Sequence, residues 1–184
     1  MAELRDLLGD LGYTGVATLL NSGNAVFQAT QEASAWHAAE IAGAIASRLR
    51  VDVPVIVKSA EELSAIVAEN PLVNAAPDHS RLLVAFVQDP TSLSGIAGIE
   101  SLVVPPEKFL VGRGAAYLHC ATGILESKAA GALLGRSGKA ATTRNWATVL
   151  KLQVLASGSD VDHASVRRSP GASGAASRAI RVNR

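Results

Sequence analysis

Leu82 to Val87 reads Leu-Leu-Val-Ala-Phe-Val, six apolar residues in a row with no polar position between them. A strand with one solvent face alternates apolar and polar residues, so an unbroken apolar run of this length is the signature of a strand buried on both faces. It belongs inside a layered sheet-and-helix structure. Aromatic residues make up only 4% of the 184 residues, so Ala, Val, Leu and Ile must fill most of the core.

The rest of the chain supplies helices and strands in alternation. Leu4, Leu7, Leu8 and Leu11 fall at i, i+3, i+4 and i+7, one apolar face of a helix ending near Gly12. This helix begins essentially at Met1 with no Ser, Thr, Asp or Asn cap, so an element is expected before it. Val16–Leu20 and Ala25–Gln28 read as strands joined by the turn formers Asn21-Ser22-Gly23-Asn24. Ser34 is expected to cap a helix carrying Ala38, Ile41, Ala42, Ile45 and Leu49 on one face, followed by a strand over Pro54–Val57. Ser59-Ala60-Glu61-Glu62 is a capping box for a helix with Leu63, Ile66 and Val67, which Asn70-Pro71 stops.

Beyond the Leu82–Val87 strand, Ser92–Ile99 reads as a short helix and Pro105-Pro106 breaks the chain. Phe109–Val111 and Ala115–Cys120 flank Gly112-Arg113-Gly114 as a hairpin. Residues 125–135 and 144–156 read as two helices, the second with Trp146, Val149 and Leu150 on one face. From Ser157 onward the 28 residues include six Ser, five Ala, five Arg and three Gly, too few large apolar side chains to offset ordering, so disorder is expected.

The fold class expected is α+β, in two lobes at 1–75 and 76–156 with a basic tail over 157–184. With a strand ahead of Met1, the first lobe would read βαββαβ, a ferredoxin-like plait missing its first strand.

Charge and cysteine content narrow the setting. Residues 1–120 hold seven Lys/Arg against thirteen Asp/Glu, a net of −6, and residues 121–184 hold ten against three, a net of +7. A basic half of this kind suits either an anionic partner or attraction between the lobes. Acids begin at Glu3, unlike a secretory signal, and no uninterrupted apolar run of about 18 residues suggests a membrane helix. Cys120 is the single cysteine, so no internal disulfide forms and the expected location is cytoplasmic.

Three segments together carry a resemblance: Met1-Ala2-Glu3-Leu4 running into Leu20-Asn21-Ser22-Gly23-Asn24-Ala25-Val26-Phe27; Tyr117-Leu118-His119-Cys120 with Gly123 and Ser127-Lys128; and Ala141-Thr142-Thr143-Arg144-Asn145-Trp146 with Thr148-Val149-Leu150-Lys151-Leu152. Over residues 1–156 the chain resembles the bacterial domain of unknown function 1697 family. The resemblance implies a two-lobed fold of ferredoxin-like plaits and no particular activity. Members typically begin with an apolar strand and an Arg-Gly-Ile-Asn-Val-Gly-Gly loop, absent here, which implies an upstream start or a truncation and leaves a sheet edge open to strand exchange. Leu125-Glu126 also stands where members more often carry a basic or small pair.

The candidate ligand-binding residues are Ser22, Asn24, Lys128, Arg144 and Asn145. Arg144 reads as lying in the first turn of the last helix, where the dipole disfavours a cation, so an anionic partner is expected: a ligand at the helix start or an acid of the first lobe. Lys128 and Lys151, with Arg136 and Lys139, add positive charge. Residues 121–156 hold five basic residues and one acid, suited to a phosphate, a nucleic-acid backbone or an ordinary solvated face. Trp146 is expected in the core. Ser22 and Asn24 serve either the turn or a ligand, and Asn145 either a loop carbonyl or a ligand. His119 and Cys120 are adjacent on a strand, so they face opposite ways. No cluster has metal-ligand spacing, His37 and His79 stand isolated, His163 lies in the tail, and no cofactor motif is present. The function expected is a module binding an anionic small molecule or nucleic acid; the alternative is an enzyme on a small phosphorylated or carboxylated substrate with Lys128 as an acid or electrostatic group.

Overall fold

The first apolar stripe folds as expected. Ala2–Asp10 forms helix α1 and buries Leu4, Leu7 and Leu8. Gly12 ends it at φ +88°, with Gly12 N–H donating to Gly9 O and Tyr13 N–H to Leu8 O. That pairing of the last carbonyls is the usual use of a left-handed residue after a helix. The computed structural model describes residues 1–29, 32–135, 140–158 and 177–182.

Two compact units emerge, Met1–Ala60 with Leu152–Val182, and Glu61–Lys151. The first contains α1, strands β1 (Thr14–Leu19) and β2 (Asn24–Gln28), helix α2 (Ser34–Leu49) and strand β3 (Val55–Ser59). Ser34 is the first helical residue of α2; the cap position is Ala33. The helices pack Leu7, Leu8, Ile41 and Ile45 onto Ala25, Phe27, Val55 and Val57.

Helix α3 (Ala60–Glu69) follows β3 directly. The second unit then carries strand β4 (Leu82–Val87), the one-turn helix α4 (Ser94–Ala97) between 3-10 turns, strands β5 (Lys108–Val111) and β6 (Ala115–His119), and helix α5 (Lys128–Leu134). Strand β7 (Ala141–Asn145) leads into helix α6 (Trp146–Ala156). The sheet order is β5-β6-β4-β7, every neighbour antiparallel. All six residues of β4 are buried, as its apolar run requires. Leu93, Ile96, Ile99, Ala129, Ala130 and Leu133 cover one face of this sheet, against Leu83, Ala85, Val87 and Leu118.

Four expectations need correction. The units part at residue 60/61 rather than 75/76, because α3 is bound to the second sheet: Tyr117 Oη donates to the Ile66 carbonyl at 2.8 Å, and Glu69 Oε1 accepts from Arg113 N–H at 2.6 Å. The last helix starts at Trp146, not 144, because Ala141–Asn145 pairs residue by residue with β4. The helix expected over 125–135 starts at Lys128, where the Ser127 hydroxyl accepts from Ala130 N–H at 3.0 Å.

The fourth correction concerns the tail. Ser177–Val182 is strand β8 (Ser177–Val182), which lies inside the first sheet in the order β1-β2-β8-β3 and runs antiparallel to both neighbours. Composition undercounts such a segment, since its main-chain groups are satisfied by ladders on two sides, however few large side chains it carries. Arg136, Lys139, His163 and the rest of the expected tail from residue 159 to 176 lie outside the described residues.

Candidate functional site

Side chains alternate across a strand, and directly paired residues of an antiparallel ladder share a face. In the second sheet, Leu83, Ala85, Leu118, Cys120 and Ala141 face the apolar core. The opposite face therefore carries Leu82, Val84 and Phe86 of β4, Tyr117 and His119 of β6, and Thr142 and Arg144 of β7. Arg144 stands opposite Val84, and Val84 opposite Tyr117; Thr142 stands opposite Phe86, and Leu82 opposite His119. From strand spacing and rise, Thr142 lies about 7 Å from Arg144, Tyr117 about 10 Å and His119 about 12 Å, Cα to Cα.

This face is buried and polar together. Arg144 is 7% exposed, Thr142 2% and His119 9%. Arg144 Nη1 donates to the Thr143 carbonyl at 2.9 Å, one of its interactions. Thr142 Oγ1 and His119 Nδ1 are buried with no hydrogen-bond partner among the described residues. Each such orphan carries a desolvation penalty of about 1–3 kcal/mol. Tyr117 spends its hydroxyl on Ile66 O, and burial pushes its phenol well above the ordinary range, with the Glu69 carboxylate adding to the rise.

Arg144 is thus a strand residue rather than a first-turn helix residue, so the dipole argument for its anionic partner no longer applies. Asn145 closes β7 and starts α6: its Oδ1 accepts from Thr148 N–H at 2.9 Å, a helix cap. Asn145→Ala should therefore lower stability by about 1 kcal/mol in urea denaturation; an unchanged midpoint would show that the cap is immaterial. Lys128 is exposed at the start of α5, which packs on the apolar-core face, away from Arg144. Trp146 is buried, 2% exposed.

Ser22 and Asn24 lie in the first unit, in the β1–β2 turn. Asn24 is fully buried, and its Nδ2 donates to Leu19 O at 3.2 Å and Ser22 Oγ at 3.0 Å. The pair holds the turn together, with Leu20 at φ +59° and Gly23 at φ +69°.

One cluster escaped the sequence reading, which took His37 as isolated. Tyr13 Oη donates to Glu40 Oε2 at 2.5 Å and lies 2.8 Å from His37 Nδ1. The hydroxyl has one proton, so with Glu40 receiving it, His37 Nδ1–H is the donor to Tyr13. The available signal was the His37/Glu40 spacing of three on one helix face, with Tyr13 fixed by the Gly12 helix stop. Exposed Trp36 sits edge-on to His37 at 5.1 Å.

Burial pushes the Cys120 thiol up to about 11, a hydrogen bond with Ser127 opposing the rise and Glu107 adding to it. Such a thiol is a poor nucleophile at neutral pH. No group of three His, Cys, Asp or Glu side chains is placed to hold a metal among the described residues. Among them, no helix is long and apolar enough to cross a membrane.

The family model described as "Protein of unknown function (DUF1697)" matches residues 1–117. No curated protein matches the chain. Among solved structures, the conserved bacterial protein SP0830 from Streptococcus pneumoniae is similar, with 22% identity and a TM-score of 0.67 over 84% of this chain and 87% of that one. At that identity the likeness shows a shared α+β fold and nothing about activity.

Proposed function

The chain belongs to the family of proteins of unknown function DUF1697, and from that premise we propose that it is a bacterial, cytoplasmic module binding an anionic ligand on the polar face of its second sheet. One observation carries the reading: a buried cation, Arg144, shares a sheet face with Thr142 and His119, and Thr142 Oγ1 and His119 Nδ1 are buried with no partner among the described residues. A phosphate or carboxylate would accept from Arg144 and Thr142 and offset the desolvation those groups already bear. The lone cysteine suits a reducing compartment. The strand orders β1-β2-β8-β3 and β5-β6-β4-β7, with α1 and α2 on one face of the first sheet and α4 and α5 on one face of the second, support reading both units as ferredoxin-like plaits.

Thermal melting against nucleotides, phosphometabolites and short oligonucleotides tests the proposal. A ligand at 100 times its dissociation constant should stabilise the fold by about 2.7 kcal/mol. The shift should vanish in Arg144→Ala. Thr142→Val should melt higher without ligand, by about 1 kcal/mol of relieved desolvation, and respond more weakly to ligand. A ligand response that survives both substitutions would move the site elsewhere. A steep loss of affinity with salt marks nucleic acid, and salt-tolerant saturation marks a small molecule.

A second reading has one observation in its favour. An enzyme acting on a small phosphorylated or carboxylated substrate needs a base on the Arg144 face, and His119 is an imidazole there. In that reading His119, rather than exposed Lys128, moves the proton.

A further inference from the structure

Strand β8 has an unusual place in the first sheet. It is an interior strand, yet it is the last of the described elements, and residues 157–176 lie between it and α6. Five residues of β8 pair with β2, from Asn24↔Arg181 to Gln28↔Ser177, and five with β3, from Val55↔Val182 to Ser59↔Arg178. Those two ladders are its attachment, and main-chain pairing is indifferent to which copy of the chain supplies the strand.

We propose that the slot between β2 and β3 is a strand-binding site that a second copy of this chain fills with its own Ser177–Val182 segment, giving a strand-exchanged dimer. The contacts in the slot are the same in the closed monomer and in the exchanged pair, so the balance rests on reach and concentration. The twenty residues from 157 to 176 span up to roughly 66–72 Å when extended, so their length does not confine β8 to its own sheet. A tether of this length holds a strand at an effective concentration on the order of millimolar. The closed monomer therefore dominates at micromolar protein, and exchange grows toward millimolar. When β8 leaves, β2 and β3 present two unpaired edges, a template for another copy's strand. Asn24, Ala25, Val26 and Phe27 of β2 are all buried, so an empty slot is strongly disfavoured and refills from whichever copy is near.

Gln28 and Ser177 report on the occupant. They are paired in the ladder, and Gln28 is exposed at its end. Paired Cα atoms of an antiparallel ladder sit about 4.5–5.5 Å apart, within the span a disulfide bridges. Full-length Gln28→Cys and Ser177→Cys chains, one carrying a mass tag, are mixed at millimolar concentration and oxidised. Cys120 is buried and its thiol is pushed up to about 11, so it stays out of the reaction at pH 8. A disulfide-linked mixed dimer is expected, and the Gln28→Cys/Ser177→Cys double variant at micromolar concentration should close on itself. An internal bond in the double variant with no mixed dimer would overturn exchange, leaving β8 bound only to its own chain. No bond in either case would overturn the slot itself. The unmodified chain gives an independent readout: held at millimolar concentration and then diluted, it should show a dimer on sizing that decays slowly to monomer. A monomer at both concentrations counts against the proposal.

Discussion

Ile180→Pro should unfold the first unit at a temperature more than roughly 10 °C below the parent chain. Ile180 lies at the middle of β8, in register with Ala25 on β2 and Val57 on β3. Proline has no N–H to give the ladder, and it is tolerated in sheets essentially at edges, bulges and first positions of strands. The substitution strands a buried carbonyl on one neighbour, about 1–3 kcal/mol, and its ring displaces the strand from both. A total of about 3 kcal/mol corresponds to roughly 12–24 °C in a unit of this size. Ser177→Pro is the matched control, because it sits at the first position of the same strand and should change melting little. An Ile180→Pro chain that melts with the parent would mean that the sheet closes without β8.

The periodic elements of this chain were legible because burial wrote them plainly. The leucine stripe of α1 and the unbroken apolar run of β4 each allow one reading. Strand β7 was hidden by its neighbour: Thr142-Thr143-Arg144-Asn145 is polar and runs straight into the apolar face of α6, so the helix reading extended backward across it. Its β-branched Thr pair was the available sign of a strand. That misreading placed Arg144 on a helix start, and with it the reason for an anionic partner. Register with β4 gives Arg144 different companions, Thr142 and His119, which no linear spacing relates. Strand β8 was hidden for another reason. Its sequence, Ser-Arg-Ala-Ile-Arg-Val, holds three apolar residues and no clean two-residue alternation, and what holds it is the main chain of β2 and β3, more than a hundred residues away in sequence.

Phe27→Ala should lower the stability of the first unit by about 3–5 kcal/mol. Phe27 is fully buried at the centre of that core, with Tyr13 at a ring separation of 4.4 Å. Its removal forfeits the transfer of a phenyl group and leaves a cavity that Leu7, Leu8 and Ile41 fill only in part. The aromatic pair adds about 0.5–1.5 kcal/mol beyond area. Urea denaturation reads the change as a lower midpoint at an unchanged slope if the core stays compact. Phe27→Leu keeps most of the volume and should lose less than half as much. Tyr13→Phe divides the remaining effect, because it leaves the ring against Phe27 and removes only the hydroxyl that joins His37 to Glu40. A Tyr13→Phe loss as large as that of Phe27→Ala would make the hydrogen-bonded cluster, rather than the packed rings, the feature that holds α2 to the first sheet.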